Sequence, residues 1–437
     1  MKIGLPFGDK EIILKIPNNW EIIIPDIPKI NTLQDEVSIV KRSLATPHKQ
    51  VPIRDTYLKN KRILIVIDDN TRPTPIHKFF HLILDELKKA GAKEENITVI
   101  TALGIHTKMT HREIEEKIGR ENLKYIKWKN HDAYNEEENV FIGKTSLGLN
   151  IELNREILKS DYIVLLGMIE PHLWAGYGGG MKLIFPGLGS ARSISQHHML
   201  ISWPPYEVNR VGYDPDKNSF RLQLEEVYKL LNKNIFMVNV LLTNQNRIIN
   251  CISGHPIYAH REGVRICREI SGIKIPKKAD GIIVSSHPMD INLKQGMKGV
   301  ANNLQAVKKN GVIMGFLYAK KGIDDISLPD KSLPLPILRL LLKILGKKRI
   351  WKFVEKISAN KNPEEKFLTY YTVNLIADYQ LFVHAPTISR EETKKLGVFE
   401  NFYKPQQVID KGTKKLGKNP LVMVFKEAGA TFSFIEK

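Results

Sequence analysis

The chain has 437 residues, 42% of them hydrophobic and 26% charged, which fits a folded globular protein of two or three domains and excludes a disordered one. Its 66 basic against 47 acidic residues give a net charge of +19, but the cations are spread along the chain without any RNA- or DNA-binding motif, so nucleic acid is not expected as a partner and attraction of small anions is the simpler reading. The two cysteines, Cys251 and Cys267, have neither metal-type spacing nor a disulfide framework; no stretch reaches the ~20 apolar residues of a membrane span, and the opening MKIGLPFGDKEIILKIP lacks a signal-peptide core, so the expected location is the cytoplasm.

The first predicted elements are two short strands, 11–14 and 21–24, which flank the turn-forming Pro17-Asn18-Asn19 and read as a β-hairpin. Residues 62–67 (RILIVI) form a continuous apolar run, the pattern of a central parallel strand, and run into Asp69-Asn70-Thr71-Arg72-Pro73. A helix over 76–90, stopped by Gly91, follows. The strand 96–102 ends in Leu103-Gly104-Ile105-His106, and 110–118 reads as a capped helix. A third strand, 161–167, leads into the richest segment of the chain, EPHLWAGYGGGMKLIFPGLGS at 170–190, which holds His172, the run Gly178, Gly179, Gly180, and Lys182; His197 and His198 follow.

A strand entering a glycine-rich loop predicts backbone N–H groups turned toward an anion, because no Cβ blocks the approach. The loop is not a P-loop, since Met181 separates Gly180 from Lys182 and Leu183 replaces the hydroxyl residue. Gly176, Gly178 and Gly180 are also too evenly spaced for a dinucleotide fingerprint. A phosphate or other anion of no standard NTP or NAD type is expected, with a purely structural tight turn as the alternative. Histidines and a lysine add acid–base, nucleophilic and metal-binding capacity. Side chains of adjacent helical residues point about 100° apart, so only one of His197 and His198 needs a role. His131 and His287 read as structural. Asp69 and Arg72, three residues apart, predict either a local ion pair or a carboxylate clamp in which the aspartate holds the guanidinium.

Strand, polar loop and helix repeat three times, which predicts an open α/β sheet with ligands at the carboxyl ends of its strands. A boundary near 271–278 predicts two α/β domains, 1–270 and 275–437, with the active site in the cleft between them. The second domain opens with a strand at 281–285, the loop Ser286-His287-Pro288-Met289-Asp290, and a helix carrying Gln295 and Lys298. The basic amphipathic segment 333–357 is compatible with lying on a membrane surface; packing on its own domain or covering a pocket is the expected use, and no membrane partner is expected.

Taken together, Asp69-Asn70-Thr71-Arg72-Pro73-Thr74-Pro75, Gly104-Ile105-His106, and Glu170-Pro171-His172 through Lys182-Leu183-Ile184-Phe185-Pro186-Gly187 give a chain that resembles the nickel-dependent lactate racemase family from about Asp69 to Lys298. The resemblance implies a nickel-pincer nucleotide, a nickel ion on a pyridinium-3,5-bisthiocarboxylic acid mononucleotide, held through a thioamide to Lys182 beside the glycines. It implies His198 (with His197 as fallback) on the metal, and His106 and His172 as the acid/base pair. Arg72 supported by Asp69, together with Gln295 and Lys298, would bind the substrate. The implied reaction is racemisation or epimerisation of a 2-hydroxy acid by transient hydride transfer to the cofactor, with cofactor-maturation enzymes as partners. Trp174 and Lys294 depart from the family pattern, so the acid need not be lactate. Two other readings remain: a phosphate-ligand binding protein of the same fold without catalysis, and an RNA-associated protein.

Overall fold

The apolar runs of the sequence become the strands of two six-stranded sheets. The computed structural model describes residues 1–28, 35–124, 126–202, 210–243, 245–324, 326, 328, 332–357 and 363–435. The first sheet has the order Ile248–Gly254, Asn234–Leu242, Tyr162–Met168, Ile63–Asp68, Ile97–Ala102, Lys127–Asn130. Its strands are parallel except at one edge, where Ile248–Gly254 runs antiparallel to its neighbour. Ile63–Asp68 is buried along its whole length because both faces of the sheet are covered. Ile63, Ile65 and Ile67 enter a core shared with the helices Glu36–Ala45, Phe80–Lys89 and His111–Ile118. Leu64 and Val66 point the other way, into a core with the helices Ala191–Ser202 and Ser219–Leu231. Each such side chain contributes about 1.5–3 kcal/mol when fully buried.

The second sheet is parallel throughout, in the order Glu400–Asn401, Gln380–His384, Val307–Phe316, Ala279–Ser285, Leu421–Phe425, Glu21–Ile23. Two sequence expectations change here. The hairpin forms between Lys2–Phe7 and Lys10–Lys15, not between 11–14 and 21–24; the residues around Pro17 instead lead to Glu21–Ile23, which pairs in parallel with Leu421–Phe425. The division at 1–270 is crossed accordingly. Ile3, Leu5, Leu14 and Trp20 pack on Ile283, Met314, Phe382 and Val424 of the second sheet. Local pattern specified these strands but not their partner, which lies roughly 400 residues away. Tyr177, Val264 and Cys267 share one apolar cluster with Ala301, Phe432 and Phe434, joining the two halves of the chain.

Candidate functional site

The strands Tyr162–Met168, Ile63–Asp68 and Ile97–Ala102 are adjacent and in parallel register, so the loops that follow them leave from one sheet edge. Those loops line a cavity of about 210 Å³ together with the Ala191–Ser202 helix and Phe220. Asp69, Arg72, His106, His172, Gly178, Gly179, Lys182, Trp174 and His198 all contribute to its wall. Gly180, Gln295 and Lys298 do not line it.

The 68–72 loop is fastened from below by a residue that sequence reasoning missed. Lys117, on the capped helix His111–Ile118, is buried and pairs with Asp68 Oδ1 at 2.8 Å. Its ammonium also donates to the Asp69 carbonyl at 3.1 Å and the Arg72 carbonyl at 2.8 Å. Its position beside Ile114 and Ile118 on the buried helical face was the available signal.

Asp69 does not hold Arg72, as the sequence suggested. Its Oδ1 accepts from the Thr71 hydroxyl at 2.5 Å and the Thr71 amide at 3.1 Å, and its Oδ2 lies 2.6 Å from His106 Nδ1. Burial raises the Asp69 pKa, but the bonds from His106 and Thr71 and the Arg72 charge outweigh it, and the net shift is downward. The carboxylate is therefore ionised, His106 Nδ1–H donates to it, and Nε2 is left as the lone-pair nitrogen. Arg72 instead pairs through Nε with Glu170 Oε1 at 2.6 Å. A chain spacing of three cannot place a guanidinium back on Asp69 once the Thr71 turn has taken that carboxylate.

His172 has the opposite polarity. Its Nδ1 accepts from the amides of Trp174 at 3.3 Å and Ala175 at 3.2 Å, so its proton sits on Nε2. Burial, then the charges of Lys182, Arg72 and Arg221, push its pKa well below the usual value, and the ring is neutral.

The glycine run is not an open nest of amides. Gly178 N–H donates to the Glu170 carbonyl at 2.7 Å and Gly180 N–H to Asn239 Oδ1 at 2.7 Å. A Cβ at Gly179, whose φ is +75°, would lie 2.5 Å from Asn239 Oδ1 and 2.8 Å from the Met168 carbonyl. The glycines thus let the loop fold tightly over the strand ends. Arg221, itself buried, donates to the Gly179 carbonyl at 3.1 Å and to the Tyr177 carbonyl, and the His260 ring bonds the Gly178 carbonyl at 2.8 Å. The fastened loop delivers Lys182 to the cavity. Burial first, then repulsion from Arg72, lowers the Lys182 pKa to about 7, against an opposing pull from Glu170. A large fraction of this amine is unprotonated, hence nucleophilic, at neutral pH.

His198 lies on the cavity wall, and its Nδ1–H donates to the Ile194 carbonyl at 2.9 Å. That bond leaves Nε2 as the lone-pair nitrogen, the arrangement of metal-binding imidazoles. His197 is 0% exposed and packs against Phe185 and Phe220. If a metal is held here, His198→Ala should lower it without unfolding the protein, whereas His197→Ala should cost about 1–3 kcal/mol of stability and leave it bound; metal analysis beside thermal unfolding separates them. Among the described residues no group of three or more His, Cys, Asp or Glu could hold a metal ion. A metal here would need most of its donors from a bound cofactor.

From the second sheet, the helix Leu293–Asn302 carries Gln295 and Lys298. Lys298 is exposed overall, yet its surroundings lower its pKa, with burial the largest cause and Glu170 opposing it, while Arg72 repels it. Glu170 thus lies within electrostatic reach of cations from both halves of the chain. His131 bonds the Gly189 carbonyl at 2.9 Å in the core, His287 Nδ1 lies 3.1 Å from Asp290 Oδ2, and neither lines the cavity.

The model of the lactate racemase N-terminal domain matches residues 7–207. The chain is 30% identical over 319 residues to a lactate racemase of Thermoanaerobacterium thermosaccharolyticum, covering 71% of this chain and 73% of that one. It is 25% identical over 328 residues to a lactate racemase of Lactiplantibacillus plantarum, covering 73% and 75%. A solved lactate racemase apoprotein from Thermoanaerobacterium thermosaccharolyticum shares the fold over 100% of both chains, with a TM-score of 0.78 at 23% identity. A Thermotoga maritima protein matches 93% of this chain and 100% of its own, with a TM-score of 0.58 at 18% identity.

Proposed function

This chain belongs to the lactate racemase family, a family of isomerases, and from that premise we propose that it racemises or epimerises a 2-hydroxy acid, lactate or a relative of it, in the cavity at the strand ends of its first half and not in a cleft lined by both halves. The observation that carries the reading is the gathering of Arg72, the Asp69–His106 pair, His172, Lys182 and His198 around one cavity of about 210 Å³.

The residues fit a nickel-pincer nucleotide. Lys182 offers a neutral amine for a covalent tether and His198 a tautomer with its lone pair on Nε2. Nickel accepts imidazole alongside sulfur donors. When bound, the cofactor supplies an acceptor for hydride from C2 of the substrate, a hydrogen too weakly acidic for imidazole to remove as a proton.

The chain's own groups handle everything else. Arg72 binds the carboxylate with its guanidinium while Glu170 holds Nε and the Thr71 carbonyl accepts from Nη1. Lys298, which feels the charges of Glu170 and Arg72, would add a cation from the second half, with Gln295 one turn before it on the same helix. His106, with Nδ1–H fixed on Asp69, takes the hydroxyl proton on Nε2. His172 donates its Nε2–H to the substrate oxygen from another part of the wall. Replacement of Asp69 by asparagine keeps the shape but removes the charge that fixes this tautomer, and should lower kcat by about 10²-fold or more. Glu170→Gln leaves the Arg72 Nε only a weaker, neutral acceptor and should raise KM roughly tenfold with a smaller change in kcat. Gly178, Gly179 and Gly180 contribute by shaping the loop that presents Lys182.

A panel of D- and L-2-hydroxy acids, followed by polarimetry with the cofactor-loaded protein, tests the proposal. At least one acid should reach zero rotation from both enantiomers. Stable rotation across the panel would count against the activity and favour a binding protein of the same fold. Trp174, a departure from the family pattern on the cavity wall, makes acids other than lactate worth including.

A further inference from the structure

We propose that the outer face of the Leu335–Ile357 helix is a docking surface for an anionic lipid bilayer. The segment has two apolar faces where one would suffice. Leu335, Leu342, Ile350 and Trp351 pack into a cluster with Tyr370, Val373 and Ile376. Met199, next to His198, packs on the same cluster, which thus reaches the helix that borders the cavity. At 100° per residue, Ile337, Leu340 and Ile344 fall within about 60° of arc on the opposite side. They are 47%, 56% and 66% exposed, and Phe353, beyond the kink at Gly346, is 59% exposed. An outward stripe of this kind on a helix already buried on its other side has no use in the fold of this chain.

Charge selects the occupant. Residues 335–357 contain seven cations and a single acid, Glu355. Arg339 pairs with Glu400 and Lys347 with Asp378. Lys343, Lys348, Arg349, Lys352 and Lys356 are exposed and make no ion pair among the described residues. The same stretch contains no Ser, Thr, Asn, Gln, His, Tyr or Asp, so it offers few of the directional groups that supply the roughly 10 hydrogen bonds of an ordinary protein interface. Aliphatic side chains to insert and cations to meet phosphates are what a lipid headgroup layer accepts without shape complementarity. Among the described residues no helix is long and apolar enough to cross a membrane, so the helix lies on the surface. The sequence favoured packing of this segment on its own domain, and its inner face does pack there; the outer face is what the bilayer would cover.

The test is sedimentation of the full chain with phosphatidylcholine vesicles, with and without phosphatidylserine, at low and high salt. Binding should require phosphatidylserine and weaken with salt. The variant Lys348→Gln, Arg349→Gln, Lys352→Gln should lower partitioning by roughly a hundredfold, at the usual contribution of one basic residue near an anionic surface. Ile337→Ser, Leu340→Ser, Ile344→Ser should abolish insertion while keeping the wild-type unfolding temperature, since these side chains are exposed. If the serine variant fails to fold, the glutamine variant decides alone. Absence of binding to phosphatidylserine vesicles, or binding unchanged in the glutamine variant, overturns the proposal. So does a dimer in solution that the serine variant converts to monomer, because the stripe would then belong to a second copy.

Discussion

Lys182→Ala is expected to abolish covalent retention of the cofactor, leaving the chain at its unmodified mass after co-expression with the maturation enzymes. Among the described residues that line the cavity, Lys182 is the sole lysine. Its amine is nucleophilic at neutral pH because burial and Arg72 lower its pKa to about 7. Capture should therefore gain with pH up to roughly that value and level off above it, since the free amine is the reactive form. Lys182→Arg keeps a cation but no amine that deprotonates near neutrality, and should fail equally. Intact mass spectrometry reads both variants. An adduct that survives in either one would move the tether elsewhere.

Loss of either histidine should be nearly as severe. His106→Ala and His172→Ala are each expected to lower racemisation by about 10²–10⁴-fold, the usual range for a positioned proton-transfer group. The structural reasons differ. His106 is held by an ionised aspartate and presents a lone pair. His172 is kept neutral by burial and neighbouring cations and presents an N–H. In the proposed reaction one ring would take the hydroxyl proton and the other would donate to the same oxygen. His172→Gln retains an N–H donor without a titratable ring, and partial recovery over alanine would mark donation as its role. Racemisation at the wild-type rate in an alanine variant would make that histidine structural.

The sequence revealed the site better than it revealed what holds it. Post-strand positions sufficed to bring Arg72, His106, His172 and Lys182 to one edge, because parallel strands end together. Helix geometry predicted different surroundings for His197 and His198, and they differ, with His197 packed by Phe185 and Phe220 and His198 on the cavity wall. The partners were illegible because each comes from a distant segment. Lys117 meets the Asp69 and Arg72 carbonyls from 48 and 45 residues away. Arg221 clamps the Gly179 carbonyl across 42 residues and Asn239 the Gly180 amide across 59. Glu170 was read as part of a motif and not as the partner of Arg72, since a local pair with Asp69 satisfied the same charges on paper. The N-terminal strands show the same limit, with strand character visible and the pairing with Leu421–Phe425 not.

Nickel content and intact mass of the chain, purified after co-expression with cofactor-maturation enzymes, bear on the central point most directly. A lysine-tethered nickel cofactor in this cavity requires an adduct on Lys182 with about one nickel per chain, and both should disappear together in Lys182→Ala. An unmodified, nickel-free chain that still interconverts the enantiomers of a 2-hydroxy acid would contradict it.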